Sequence, residues 1–167
     1  MDTTFAFRLT TKQRLQIGLC MRDALLQQYT WLSADMVNII NKWIINVIDN
    51  LCALDTTLFL SLSMFYRFLN HLPCSTEPVM IHYHRDRWHL IAITCIFICS
   101  KLHERLNSTP APEYYVRYLT AQTFTKEDMF EMEEKVLRHI QYFIYPPGYM
   151  DLIFPEENVT LSKTLSV

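Results

Sequence analysis

Glycine is almost missing from this chain: its 167 residues contain two, Gly18 and Gly148. Glycine takes positive φ at little steric cost, so the composition poorly serves tight hairpins and glycine-rich phosphate or dinucleotide loops. Helices are favoured instead. Charge is also scarce, with 19% Asp, Glu, Lys and Arg against about 25% in an average globular protein. Half of the residues are apolar, so some apolar surface is expected to be reserved for a partner. A formal net charge of −2 offers no basic footprint for phosphates, and direct nucleic-acid binding is not expected.

The longest apolar run, Leu90 to Cys99, falls far short of the roughly 20 residues a membrane span requires. It reads as a buried helix. The N-terminal stretch carries Asp2, Arg8, Lys12 and Arg14 without an apolar run of signal-peptide type, so secretion is not expected. The Asn158-Val159-Thr160 sequon is then expected to stay unused. Five cysteines, Cys20, Cys52, Cys74, Cys95 and Cys99, form an odd set lying mostly in apolar stretches, which suits free thiols in a reducing compartment.

Catalytic and metal signatures are missing too. No glycine-rich phosphate loop, nucleophile elbow or His-Glu-x-x-His pattern occurs, so an enzyme is not expected. Cys95, Cys99 and His103 share one helical face, but a fourth ligand is unassigned and apolar flanks favour core packing. His82, His84 and His89 read as part of a solvated loop. No metal or cofactor is expected.

What the chain does have is helical periodicity, in blocks separated by short joints. Thr11 to about Tyr29 suggests a first helix ahead of the main bundle. Ser33 is a candidate N-cap, with Asp35 in the first turn, for a helix through Met36, Ile39, Ile40, Trp43, Ile44, Val47, Ile48 and Leu51. Asp55 is a candidate cap for the next helix, which is apolar nearly all round from Leu58 to Leu69. A joint from Pro73 to about Arg85 precedes the most apolar segment, about Asp86 to Glu104. Its basic tail of Lys101, His103 and Arg105 suits a helix C-terminus. Asn107 to Pro112 is a break and Tyr114 to Leu119 a short helix. Thr125-Lys126-Glu127-Asp128 resembles a capping box opening a helix to Ile140, and Pro146-Pro147-Gly148 ends regular structure before a last segment near Tyr149 to Phe154. The expected class is all-α: five helices preceded by an N-terminal one.

Those helices carry residues similar to the cyclin box, from about Ser33 to Phe154. Met36-Val37-Asn38-Ile39-Ile40 with Trp43 resembles the first-helix signature Met-Arg-Ala-Ile-Leu followed by tryptophan. Tyr66-Arg67-Phe68-Leu69 resembles the second-helix ending Asp-Arg-Phe-Leu. Ser100-Lys101-Leu102-His103-Glu104 stands where cyclins show Ser-Lys-Phe-Glu-Glu. Met132-Glu133, Val136-Leu137 and Tyr142-Phe143-Ile144 resemble the fifth helix and its exit. The resemblance divides the chain into an extension at 1–32, a cyclin box at 33–154 and a tail at 155–167.

It also implies a partner, since cyclins are non-catalytic subunits that grip the C-helix of a cyclin-dependent protein kinase as a heterodimer. By that resemblance Lys101 and Glu133 would hold the kinase helix through charge-assisted hydrogen bonds, bordered by Phe97, Leu102, Glu104, Leu137, Tyr142 and Ile144. Met36, Ile40 and Trp43 resemble the patch that docks Arg-x-Leu substrate peptides, although the same stripe suits plain core packing. Asn46 replaces the acid of that patch, so weak or absent docking is expected. The buried arginine–aspartate pair common in cyclins becomes Val37 and Tyr66, a joint loss that apolar bulk tolerates. A nuclear or cytoplasmic location is implied by the same likeness. The competing reading is a cyclin-fold adaptor without a kinase, like the helical repeats of transcription factor IIB or the retinoblastoma pocket. Only one box is present, as in a single-box cyclin or a piece of a longer one, and compactness with divergence would suit a viral member as well as a host one.

Overall fold

The computed structural model describes residues 34–71, 87–105 and 108–145. Five α-helices appear there: α1 Ala34–Asn50, α2 Asp55–His71, α3 Trp88–His103, α4 Pro112–Tyr114 and α5 Lys126–His139, with a π-helical turn Tyr115–Leu119 continuing α4. No strand occurs among the described residues. The helix expected between Thr11 and Tyr29, the Ser33 cap, the 73–85 joint and the segment near Tyr149 to Phe154 lie outside them.

Helix α3 is the hub. It packs on α2 and α5 most extensively, and on α1 and the π-helical turn at its flanks. Every residue from Leu90 to Ser100 is buried, as a helix apolar all round requires. Helix α2 is nearly as enclosed, and between Thr57 and Leu69 only Arg67 is not fully buried. Large side chains such as Phe59, Phe65, Leu62, Ile91 and Tyr115 fill the seam, each apolar one contributing about 1.5–3 kcal/mol by leaving water. Buried hydroxyls need partners, and at two positions the preceding turn supplies one. Ser61 Oγ donates to the Thr57 carbonyl at 2.6 Å and Thr94 Oγ1 to the Leu90 carbonyl at 2.7 Å, the back-bonding available to such residues inside helices.

Helix α1 turns Val37, Ile40, Asn41, Ile44, Val47 and Ile48 inward. Ile39, expected on that face, is 67% exposed, because at about 100° per residue it lies off the stripe centred on 37, 41, 44 and 48. The expected arginine–aspartate replacement is more polar than the sequence suggested. Val37 and Tyr66 are both buried, and the Tyr66 hydroxyl donates to buried Asn41 Oδ1. A neutral hydroxyl–amide pair therefore links α1 to α2 where an ion pair would stand.

The glycine shortage does not remove positive φ; it moves it onto other residues. Cys52, Ala121, Gln122, Gln141 and Tyr142 have φ between 51° and 62°. After α1, Cys52 N donates to Asp49 O and Ala53 N to Ile48 O; after α5, Gln141 N donates to Arg138 O at 2.9 Å and Tyr142 N to Leu137 O at 2.8 Å. Both ends are Schellman motifs in which glycine normally takes the left-handed position. Gln141→Gly should therefore raise stability by about 0.5–1 kcal/mol, read as a higher urea midpoint at unchanged slope.

The expected capping box at α5 is present. Thr125 Oγ1 accepts from Asp128 N at 3.1 Å, and Asp128 Oδ2 accepts from Thr125 N at 2.8 Å. Those bonds hold the Asp128 carboxyl below its ordinary pKa of 3.8, the backbone bond from Thr125 being the main cause. A lowered folded pKa means stability that is complete above the ordinary aspartate range and lost as pH falls through the lowered value. Thr125→Ala should cost about 1 kcal/mol, and Asp128→Asn should flatten the acid side of a thermal-stability profile.

Candidate partner-binding surface

The last turn of α3 and the middle of α5 bring Lys101 and Glu133 together across 32 residues of chain, with Lys101 Nζ donating to Glu133 Oε1. The Lys101 side chain is 42% exposed and that of Glu133 18%. An ion pair this open contributes little to folding, at most about 1 kcal/mol. Its ammonium also lies 4.3 Å from the Phe97 ring centroid, a cation–π distance. Phe97 is itself buried, in edge contact with Tyr115 at 5.3 Å and tilted against Phe130 at 6.4 Å. It therefore acts as a floor beneath Lys101, not as an outward contact.

The other residues expected here divide by exposure. Leu102 is 46% and Tyr142 64% exposed, open to a partner, while Leu137 and Ile144 are half-buried against the core. Phe143, 55% exposed, was not singled out by sequence reasoning. Its signal was present, since it lies between two residues that were.

Glu104 is turned inward. Its Oε1 accepts from Leu54 N at 2.8 Å and from Thr57 Oγ1 at 2.6 Å. The carboxylate thus occupies the N-terminus of α2, where negative charge meets unpaired N–H groups. Asp55, expected to cap that helix, lies in its first turn and is buried. Beside Glu104, burial lowers the His103 pKa, and His103 Nε2 lies 3.3 Å from the Tyr145 hydroxyl.

Arg67 was quoted only as part of a motif, yet it makes the bonds that fix the exit from α5. Its guanidinium donates to the Phe143 carbonyl and, at 2.6 Å, to the Ile144 carbonyl. Burial lowers its pKa. An arginine inside an otherwise apolar helix was the available sign.

A separate open pocket of about 230 Å³ lies between α1 and the start of α3, lined by Met36, Ile39, Ile40, Trp88 and His89. Met36 and Trp43 are half-buried and Ile40 buried. His89 meets Trp43 edge to face at 5.0 Å, and burial lowers its pKa. Of the stripe expected either to dock peptides or to pack the core, Ile40 is buried, and both it and half-buried Met36 border the opening. Asn46 is exposed on α1.

Burial pushes the Cys95 thiol well up and the Cys99 thiol to about 12, so neither is a ready nucleophile. Among the described residues no group of three His, Cys, Asp or Glu side chains is placed to hold a metal ion. Nor is any helix among them long and apolar enough to cross a membrane.

The fold is an all-α domain built around a buried hub helix. The family described as Cyclin, N-terminal domain, matches residues 7–145, and the chain belongs to the cyclin family. It is 27% identical over 127 residues to the G2/mitotic-specific cyclin cig2 of Schizosaccharomyces pombe, covering 76% of this chain and 27% of that one. It is 30% identical over 112 residues to Cyclin-A2-3 of Arabidopsis thaliana, covering 67% and 22%. With the G2/mitotic-specific cyclin-B2 of Anguilla japonica it shares 28% over 137 residues, covering 81% and 31%. The aligned region is thus between 22% and 31% of these relatives' length.

Proposed function

We propose that this chain is a non-catalytic regulatory subunit that binds the C-helix of a cyclin-dependent protein kinase and activates it. The observation carrying this reading is the Lys101–Glu133 pair, held over the Phe97 ring and bordered by exposed Leu102 and Tyr142. A pair this exposed contributes little to stability, whereas a lysine and a carboxylate side by side offer donors and acceptors to an incoming helix end or side chain. Apolar neighbours supply the area that dominates affinity. Driving the kinase C-helix inward completes the lysine–glutamate pair of the kinase and reorders its activation loop. The subunit itself transfers no atoms.

Relatives named as mitotic cyclins support a role in cell division, in the nucleus or cytoplasm. The test is capture by the full chain of members of a panel of cyclin-dependent kinases, followed by phosphorylation of a generic substrate. Capture with raised activity supports the reading. Capture of transcription proteins without any kinase supports the adaptor alternative.

A further inference from the structure

The exit from α5 is an unusual place for a fixed backbone. Gln141 and Tyr142 are consecutive non-glycine residues at φ 55° and 57°, each costing on the order of 1 kcal/mol and persisting only where the surroundings over-determine the conformation. The Schellman bonds at Arg138 and Leu137 hold the first half of this turn. Its second half, Phe143 to Tyr145, leads away from the helix, and Phe143 and Tyr145 are largely exposed. From across the domain Arg67 holds the backbone of this second half at the carbonyls of Phe143 and Ile144, while His103 meets the Tyr145 side chain at its end.

We infer that Arg67 is a positioning residue for kinase binding: from core helix α2 it holds two successive exit carbonyls and so sets the backbone that presents Tyr142 and Ile144. The inference rests on the kinase-binding reading above. Arginine suits the task because its planar fork reaches two acceptors at once, whereas lysine offers a single point charge. The nearby thiols do not compete for its charge, since Cys95 and Cys99 stay protonated in their buried setting. The guanidinium is instead directed at carbonyl dipoles. Side chains that a partner meets are ordered before it arrives, which reduces the entropy lost on binding.

The experiment compares wild type, Arg67→Lys, Arg67→Met and a control, Ile44→Val, chosen to lower stability without touching the exit. Hydrogen exchange is followed on the free full-length chain, and kinase dissociation constants are measured alongside. In Arg67→Lys the amides of residues 142–145 should exchange at least about tenfold faster, while those inside α2 and α3 keep their protection. Kinase affinity should fall about tenfold, with Ile44→Val leaving it unchanged. Gln141→Gly, by relieving the left-handed turn, should recover part of the affinity lost in Arg67→Lys. Arg67→Lys with unaltered exit exchange, or with a loosened exit and undiminished affinity, overturns the inference. So does an equal loss in Ile44→Val, which would reduce Arg67 to general stability. A wild-type chain that captures no kinase removes the functional reading and this inference with it, and it is recognised by its absence of affinity before any variant is compared.

Discussion

Lys101→Ala combined with Glu133→Ala should weaken kinase binding by about a hundredfold or more while leaving the fold intact. The size reflects the part each group plays. As a folding contact the pair is partly solvated, its lysine more open than its glutamate, and it contributes at most about 1 kcal/mol, so the thermal midpoint should move by only a few degrees. Under the proposed kinase-binding reading the same groups would be enclosed by the partner, where charge-assisted bonds reach hot-spot magnitude, about 2–4 kcal/mol on truncation. Removing Lys101 alone also uncovers the Phe97 face, and removing Glu133 alone leaves the ammonium without its carboxylate. The two singles should therefore not add, each costing most of what the double costs. Titration calorimetry beside thermal melts separates the cases. A double variant that binds as wild type rejects this surface, and one that unfolds shows the pair to be structural.

The second large effect concerns the α1–α2 seam. Tyr66→Asp should destabilise the domain by about 3–5 kcal/mol, because it places a carboxylate among buried groups and removes the donor to Asn41. At a total stability of about 5–15 kcal/mol, that is enough to unfold much of the population at moderate temperature. Adding Val37→Arg should recover at least about 1 kcal/mol relative to the sum of the two single changes, since the arginine would face the new acid across the same seam. Urea unfolding of the four species measures the coupling. Strict additivity would mean that positions 37 and 66 do not form the electrostatic pair that the family pattern implies, and that Tyr66 contributes through its bulk and its bond to Asn41 alone.

The difference between these two seams explains how much was legible in the sequence. Helices α2 and α3 were plain because their residues are apolar all round, so any helical phase buries them and boundaries are set by the polar joints. Thr125 and Asp128 were equally readable, since a capping box is written in four consecutive residues. Helix α1 was read with one error of phase: Ile39 looked buried in a list of apolar positions, but faces outward once Val37 and Asn41 take the core side. Polar bonds across the fold were harder. The Tyr66–Asn41 bond, the capping of α2 by Glu104 and the grip of Arg67 on the exit from α5 join residues 25 to 77 positions apart. No local periodicity encodes such pairings. Lys101 and Glu133 were matched only because family resemblance supplied the long-range relation that spacing could not.

The glycine shortage misled in a related way. It argued correctly for helices, but positive φ was still required wherever a helix ended in a Schellman turn, and Cys52 and Gln141 accept it there. Composition limits which residues fill a conformation more than it limits whether the conformation occurs.

A photo-activatable benzophenone placed at Leu102, and separately at Ile39, tests the central claim most directly. Leu102 lies beside Lys101 on α3, and Ile39 lines the distinct α1 pocket. With an added cyclin-dependent kinase, irradiation should join position 102 to the kinase C-helix and leave position 39 unlinked to it. Cross-linking of that helix from position 39 alone would contradict the account.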